Sequence, residues 1–514
     1  MTAYADFQAH IASINDLLTT LSVLQWDART QMPPGGSVTR GHQMATLSAL
    51  AAQRFAGEET GRLLDAAEAE VKGDDPNSYR VRAVQQTREA YDIARRIPSS
   101  LVSEMASHEA VAQSVWQEAR PANDFTRFAP YLERAVELQR RLAEAIGYDA
   151  HPYDALLKKY EPSMTAARLD DLFTALKSRS LPLLKRIVDS GVTPRTDFLT
   201  REYPEDKQRA FALGISQQFG YDLRRGRLDK SAHPFEISFT REDVRMTTRY
   251  NERYLPAAVF GTFHETGHAL YEQGVDPALT RTALTTDMVG LYAVGGTSYG
   301  AHESQSRLWE NLVGRSCVFW QRHFGRLQAV FPQQLADVSA EEFYRAVNTV
   351  KPSLIRVEAD EVTYNFHIML RVEIEMAMLD GRVRVADLPN VWRAKMGEYL
   401  GVTPPDDRQG VLQDIHWSSG NFGSFCTYTV GNVMSVQLFQ AARQQTPGLD
   451  DALASGDYVP LRTWLTENMY RHGRAFGVNE LLTRTTGRPL DVDPYLTYLE
   501  TKYSDLYPTG GSAA

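Results

Sequence analysis

The stretch Pro256-Ala257-Ala258-Val259-Phe260-Gly261-Thr262-Phe263-His264-Glu265-Thr266-Gly267-His268-Ala269-Leu270-Tyr271-Glu272-Gln273-Gly274 decides the reading of this chain. Its apolar residues Val259, Phe260, Phe263, Ala269, Leu270 and Tyr271 cover more than one side of a helical wheel, which predicts a buried helix. Pro256 suits a first helical turn, and Gly274 stands where a residue in the left-handed conformation commonly ends a helix. Gly261 and Gly267 each weaken the helix by about 1 kcal/mol relative to Ala. Close approach of another backbone or of a bound molecule would account for them.

On such a helix His264 and His268, four residues apart, lie one above the other and can offer imidazole nitrogens to one ion. Glu265 is rotated toward the neighbouring face, where it can reach a metal-bound water without being a ligand. Two imidazoles, an ionised water and a carboxylate to take its proton form the set used by zinc peptidases. The competing reading is a core helix whose histidines make ordinary hydrogen bonds. A catalytic zinc usually has three protein ligands. Glu303, in Ala301-His302-Glu303-Ser304-Gln305, is the favoured third, near the start of a second amphipathic helix where the dipole assists a carboxylate. Glu310 is a local rival, and the run Glu358-Ala359-Asp360-Glu361 is another, although such runs are more often solvated or Arg-paired.

The 514 residues, 43% of them hydrophobic, can bury one large core or two to three smaller ones. A net charge of −9 argues against a nucleic-acid surface. Two cysteines, Cys317 and Cys426, make no disulfide framework. The start Met1-Thr2-Ala3-Tyr4-Ala5-Asp6 lacks a secretory pattern, and no apolar run spans a membrane. A cytoplasmic protein without membrane contact is expected.

Helical periodicity covers residues 6–23, 36–54, 78–95, 99–119, 125–147, 165–190, 205–219, 303–330, 340–350, 353–380 and 386–400. The strand signal is a hairpin, Phe235–Thr240 and Asp243–Thr248, turned at Arg241-Glu242. The expected architecture is mainly α: one large helical unit over residues 1–514, or two lobes flanking a groove, with a small β-hairpin.

Further segments carry more chemistry than packing needs. His416 and Tyr428, in the Gly- and aromatic-rich region after Gly410, are candidate donors to the oxyanion that peptide hydrolysis develops. Arg245 in the hairpin and Arg356 in Ile355-Arg356-Val357-Glu358-Ala359-Asp360 can hold a carboxylate in a forked geometry. For both arginines an ion pair with acidic neighbours is the alternative, with Glu358 and Asp360 at hand for Arg356.

Six segments in this order resemble the M32 metallocarboxypeptidases of the carboxypeptidase Taq type. They are His233-Pro234-Phe235, Asp243-Val244-Arg245-Met246-Thr247, His264-Glu265-Thr266-Gly267-His268, His302-Glu303-Ser304-Gln305, Ile355 through Asp360, and Gly410 through Trp417. Looser similarity runs from Trp26 almost to the C-terminus. The resemblance implies an almost all-helical fold with a deep groove, a homodimer, and removal of single residues from peptide C-termini. It implies zinc, with cobalt able to substitute, and Glu303 as the third ligand. It also makes His233, Arg245 and Arg356 candidates for closing one end of the groove or holding the terminal carboxylate. Two departures stand out: a segment around Leu279–Thr297 longer than the family pattern, and Ser424 and Cys426 where an aromatic residue and a proline are expected. An endopeptidase sharing the zinc site, a silent peptide binder and a purely structural helical protein are the alternatives.

Overall fold

A computed structural model describes residues 2–285 and 298–508. Among these are twenty α-helices and one three-stranded sheet. The chain forms two compact units, each assembled from separated stretches. The first takes residues 1–92, 193–348 and 431–491; the second takes 93–192, 349–430 and 492–514.

In the first unit the motif helix runs Leu255–Gly274, with proline in its first turn. Apolar cover on several sides has the expected result: Val259, Phe260, Phe263, Ala269, Leu270 and Tyr271 are all buried. Behind it Phe219 lies against Phe263, Trp309 and Tyr458, with ring centroids 5.3, 4.7 and 4.9 Å apart. Such pairs add about 0.5–1.5 kcal/mol each beyond burial and fix the helix from the rear. Gly274 departs from expectation. It is the last helical residue, is followed by Val275 at φ −60°, and is not left-handed. Its lack of a side chain serves packing instead, since a Cβ there would meet Tyr470 at 2.7 Å.

The hairpin forms as Glu236–Thr240 (β2) and Asp243–Thr248 (β3), antiparallel, and it packs on the motif helix. A strand not foreseen, Gly226–Lys230 (β1), pairs parallel with β3 and gives the order β1-β3-β2. Only Leu228 of its side chains is buried, so it carries no apolar alternation to read.

The helix expected over 303–330 is three pieces: Tyr299–Arg307, a π-helical segment Leu308–Val313, and Cys317–Val330. Gly314 closes the π-segment by donating to Trp309 O at 2.9 Å. The absence of a side chain at Gly314 admits Phe263, which a Cβ would meet at 2.7 Å.

In the second unit the helix Tyr364–Leu379 is buried along almost its whole length. It packs against the helices Phe125–Ile146, Ala166–Asp189 and Leu388–Leu400. The helix expected over 353–380 starts eleven residues late (364 − 353 = 11), because Asp360 turns the chain first. Its carboxylate accepts from the backbone N–H of Lys351, Val362 and Thr363. Such local acceptance competes with helix.

Candidate metal centre

His264 and His268 project from one face of the motif helix, and Glu303 from the helix Tyr299–Arg307. The two Nε2 atoms stand 3.5 and 3.3 Å from Glu303 Oε2. One ligand atom from each of the three lies within 4.8 Å of the others. A tetrahedral ion with bonds of about 2.0–2.1 Å spaces its ligand atoms about 3.3 Å apart, so this donor set fits zinc. Among the described residues it is the one such group of His, Cys, Asp or Glu.

Two close contacts allow the approach. A Cβ on Gly267 would lie 2.3 Å from Gln305 O and 2.5 Å from Ser306 Cα, so the two helices meet backbone to backbone. A Cβ on Gly431 would lie 2.6 Å from Glu303 Cγ. Gly261 faces nothing closer than Thr248 Oγ1 at 3.6 Å, an ordinary contact.

Electrostatics divide the carboxylates. Burial alone would raise the Glu303 carboxyl. Arg307, then His264 and His268, outweigh burial and hold it well below the usual range. Arg307 Nε donates to Oε1 at 2.7 Å, leaving Oε2 for the imidazoles. This guanidinium, rather than the helix dipole, sustains the charge, because Ser298 caps the helix and places Glu303 beyond its first turn. For Glu265, burial dominates and pushes its pKa up to about 7, with His264 opposing and Glu303 and Glu310 adding to it.

Each imidazole is held from behind. Glu310, the rival ligand of the sequence reading, lies 2.9 Å from His264 Nδ1, the face away from Glu303, and its other partners are Arg307 and Arg315. His268 Nδ1 lies 2.6 Å from His302 Nδ1. Orienting partners of this kind are usual for metal-bound histidine. Neither contact is foreseen from the sequence, although Glu310 was already a candidate ligand and His302 adjoins Glu303.

The other predicted residues divide between the units. His233 is exposed, with Nδ1 2.9 Å from Pro234 O. Arg245 makes a bidentate pair with Asp243 at 2.8 Å and stacks between Trp26 and Phe239, 4.3 and 4.8 Å from the ring centres. In the second unit Arg356 is buried. Its partners are Asp414 and Tyr364 rather than Glu358 or Asp360, and it lies over the rings of Phe425 and Tyr428. Arg371 binds the same Asp414, Nε to Oδ2 at 2.7 Å. His416 packs on Phe425 at 4.3 Å, its Nδ1 3.9 Å from Asp414 Oδ1. Cys426 opens the helix Cys426–Gln445, a position where the expected proline is equally suited, so the departure leaves that helix start intact. Tyr428 follows on the same helix, three residues before Gly431. The run 358–361 is no metal group: Glu361 is bound by Lys502, Tyr498 and Tyr503, all in the second unit. Of the longer segment Leu279–Thr297, residues 286–297 lie outside the described residues.

The segment bearing His416 is pinned by Glu375, whose Oε1 accepts from Trp417 Nε1 at 2.9 Å and whose Oε2 accepts from Tyr153 OH at 2.8 Å and Gly423 N at 3.0 Å. Burial pushes this carboxyl up to about 7 against those donors. In Glu375→Gln, an amide oxygen set toward the two donors leaves NH₂ facing the Trp417 N–H. The expected result is a loss of about 1–3 kcal/mol in urea unfolding. An unchanged midpoint would show that the three donors do not need a carboxylate.

Two histidines and a glutamate around one ion position, with Glu265 directly after the first histidine, are the donor set that metallopeptidases use. The sequence profile described as carboxypeptidase Taq (M32) metallopeptidase matches residues 6–503. The chain is 44% identical to thermostable carboxypeptidase 1 of Thermus thermophilus over 509 residues, 97% of this chain and 96% of that one. It is 40% identical to carboxypeptidase 1 of Bacillus subtilis, over 95% of each. The crystal structure of the M32 carboxypeptidase of Deinococcus radiodurans superposes with a TM-score of 0.93 at 43% identity, covering 98% of this chain and 99% of that one. The chain belongs to the carboxypeptidase Taq (M32) family and is a metallocarboxypeptidase.

Proposed function

We propose that the protein uses zinc, with cobalt able to replace it, to remove single residues from the free C-termini of peptides. The observation that carries this is the pair of Nε2 atoms converging on one oxygen of Glu303, with buried Glu265 next to His264 in the same helix. When bound, zinc supplies Lewis acidity toward water and the scissile carbonyl. Glu265 takes the proton of the attacking water and returns a proton to the leaving amine. His416 and Tyr428 donate to the developing oxyanion.

Arg356 holds the terminal carboxylate in this reading. Two buried guanidiniums, Arg356 and Arg371, bind the single carboxylate of Asp414, an arrangement one negative charge short that an anionic ligand completes. Arg245 and His233 close the far end of the binding region. The reading includes a homodimer and a cytoplasmic location; no helix among the described residues is long and apolar enough to cross a membrane.

The test is a mass-spectrometric time course on unblocked peptides and their C-terminally amidated copies. Single C-terminal losses are expected from the former only, abolished by a chelator and restored by zinc or cobalt. Internal fragments would favour an endopeptidase, and intact peptides with metal bound would overturn the catalytic reading.

A further inference from the structure

The two imidazoles are supported in different ways. His264 meets a carboxylate directly through Nδ1, whereas His268 meets a second imidazole. His302 Nε2 in turn lies 2.9 Å from Glu272 Oε1, and Arg474 Nη2 donates to the same oxygen at 3.3 Å. Arg474 is itself anchored, Nη1 to Thr285 O at 2.8 Å and backbone N to Leu284 O at 2.7 Å. The centroid of the His302 ring lies 4.8 Å from those of His268 and of Tyr271. Glu272 is buried.

We propose that His302 and Glu272 are positioning residues that set the tautomer and orientation of His268 for the metal. This rests on the metal reading above. A neutral imidazole that offers Nε2 to an ion carries its proton on Nδ1. That proton needs an acceptor, and at 2.6 Å the acceptor is His302 Nδ1. His302 must then keep a lone pair on Nδ1 and its own proton on Nε2, where Glu272 receives it. Arg474 donates to the same Glu272 oxygen, which marks that oxygen as an acceptor. The chain of bonds therefore has one direction, from His268 outward to Glu272, and it leaves the Nε2 lone pair of His268 facing Glu303. The rival reading is that His302 ligates a second ion with His268.

The test is zinc titration of the metal-free protein against a chromophoric chelator, with thermal melting of the same apo samples as a folding control. His302→Phe keeps a stacked ring without polar atoms and is expected to weaken zinc by about 10–100-fold. His302→Gln keeps one acceptor and one donor and is expected to restore affinity to within a few-fold. Glu272→Ala weakens zinc in the parent and adds little in the His302→Phe background, because the two act in series. Parental affinity in His302→Phe, or equal damage from Phe and Gln, would overturn the proposal. Two zinc ions per chain would overturn it in favour of the rival. If the parent takes up no zinc and His264→Ala changes nothing, the metal reading itself has failed.

Discussion

Glu265→Gln is expected to keep its metal and lose about 10²–10⁴-fold in kcat. The amide matches the carboxylate in volume, so the buried position is filled and the helix packing is kept. Glu265 is not one of the three residues whose donor atoms converge, so removing its charge leaves the ligand set whole. What the amide cannot do is accept a proton from water. The paired measurement is metal content per chain and kcat on one peptide. Loss of metal in this variant would make Glu265 part of the ligand set and undo the assignment. Parental kcat would move the base elsewhere.

Gly267→Ala sets two effects of opposite sign against each other. Helix propensity favours alanine by about 1 kcal/mol. The contacts oppose it: both atoms a Cβ would strike, Gln305 O and Ser306 Cα, belong to the backbone and cannot rotate away. The helices must separate, at an overpacking cost of about 1–3 kcal/mol. The histidines stand on one of these helices and Glu303 on the other, so separation disturbs the donor set. A displacement of about 1 Å can cost about 10²-fold at a reacting centre. The expected outcome is a lower apo melting temperature and a zinc affinity reduced by roughly tenfold or more, the scale seen when a metal site loses its supports. A variant that melts at or above the parent and binds zinc as tightly would show that helix propensity wins and that the close approach is dispensable.

What could be read from the sequence follows from how local each signal is. The motif helix and the hairpin rest on spacings of two to four residues, and both formed as expected apart from the helix end at Gly274. Nearness to the helix start favoured Glu303 over Glu310, and the resemblance decided between them. Both project toward the histidines, and the π-segment that places Glu310 behind His264 has no signature in residue spacing. Glu272 stood in view four residues after His268. Its partner Arg474 lies 202 residues further on, beyond the reach of any local pattern. The helix Cys426–Gln445 was missed for a different reason. Residues 429–438 are buried without a break, so there is no apolar stripe to detect. Its opening residues Thr427, Thr429, Val430 and Gly431 are also poor helix formers. Burial creates that helix; propensity does not.

The first unit's division into three stretches of chain bears on how the protein is made. The three converging donors leave synthesis together, between residues 264 and 303. Gly431 against Glu303, Tyr470 against Gln305 and Arg474 behind Glu272 all belong to the last stretch. At about 5–20 residues per second, the 171 residues from Glu303 to Arg474 (474 − 303) take roughly 10–30 s to emerge. For that interval the two histidines and the glutamate have emerged with their nearest partners His302, Arg307 and Glu310, but without Gly431, Tyr470 and Arg474. The packing around the three donors is completed only when the last stretch docks, so the order of the ribosome's output makes full assembly of this site a late event in the life of each molecule.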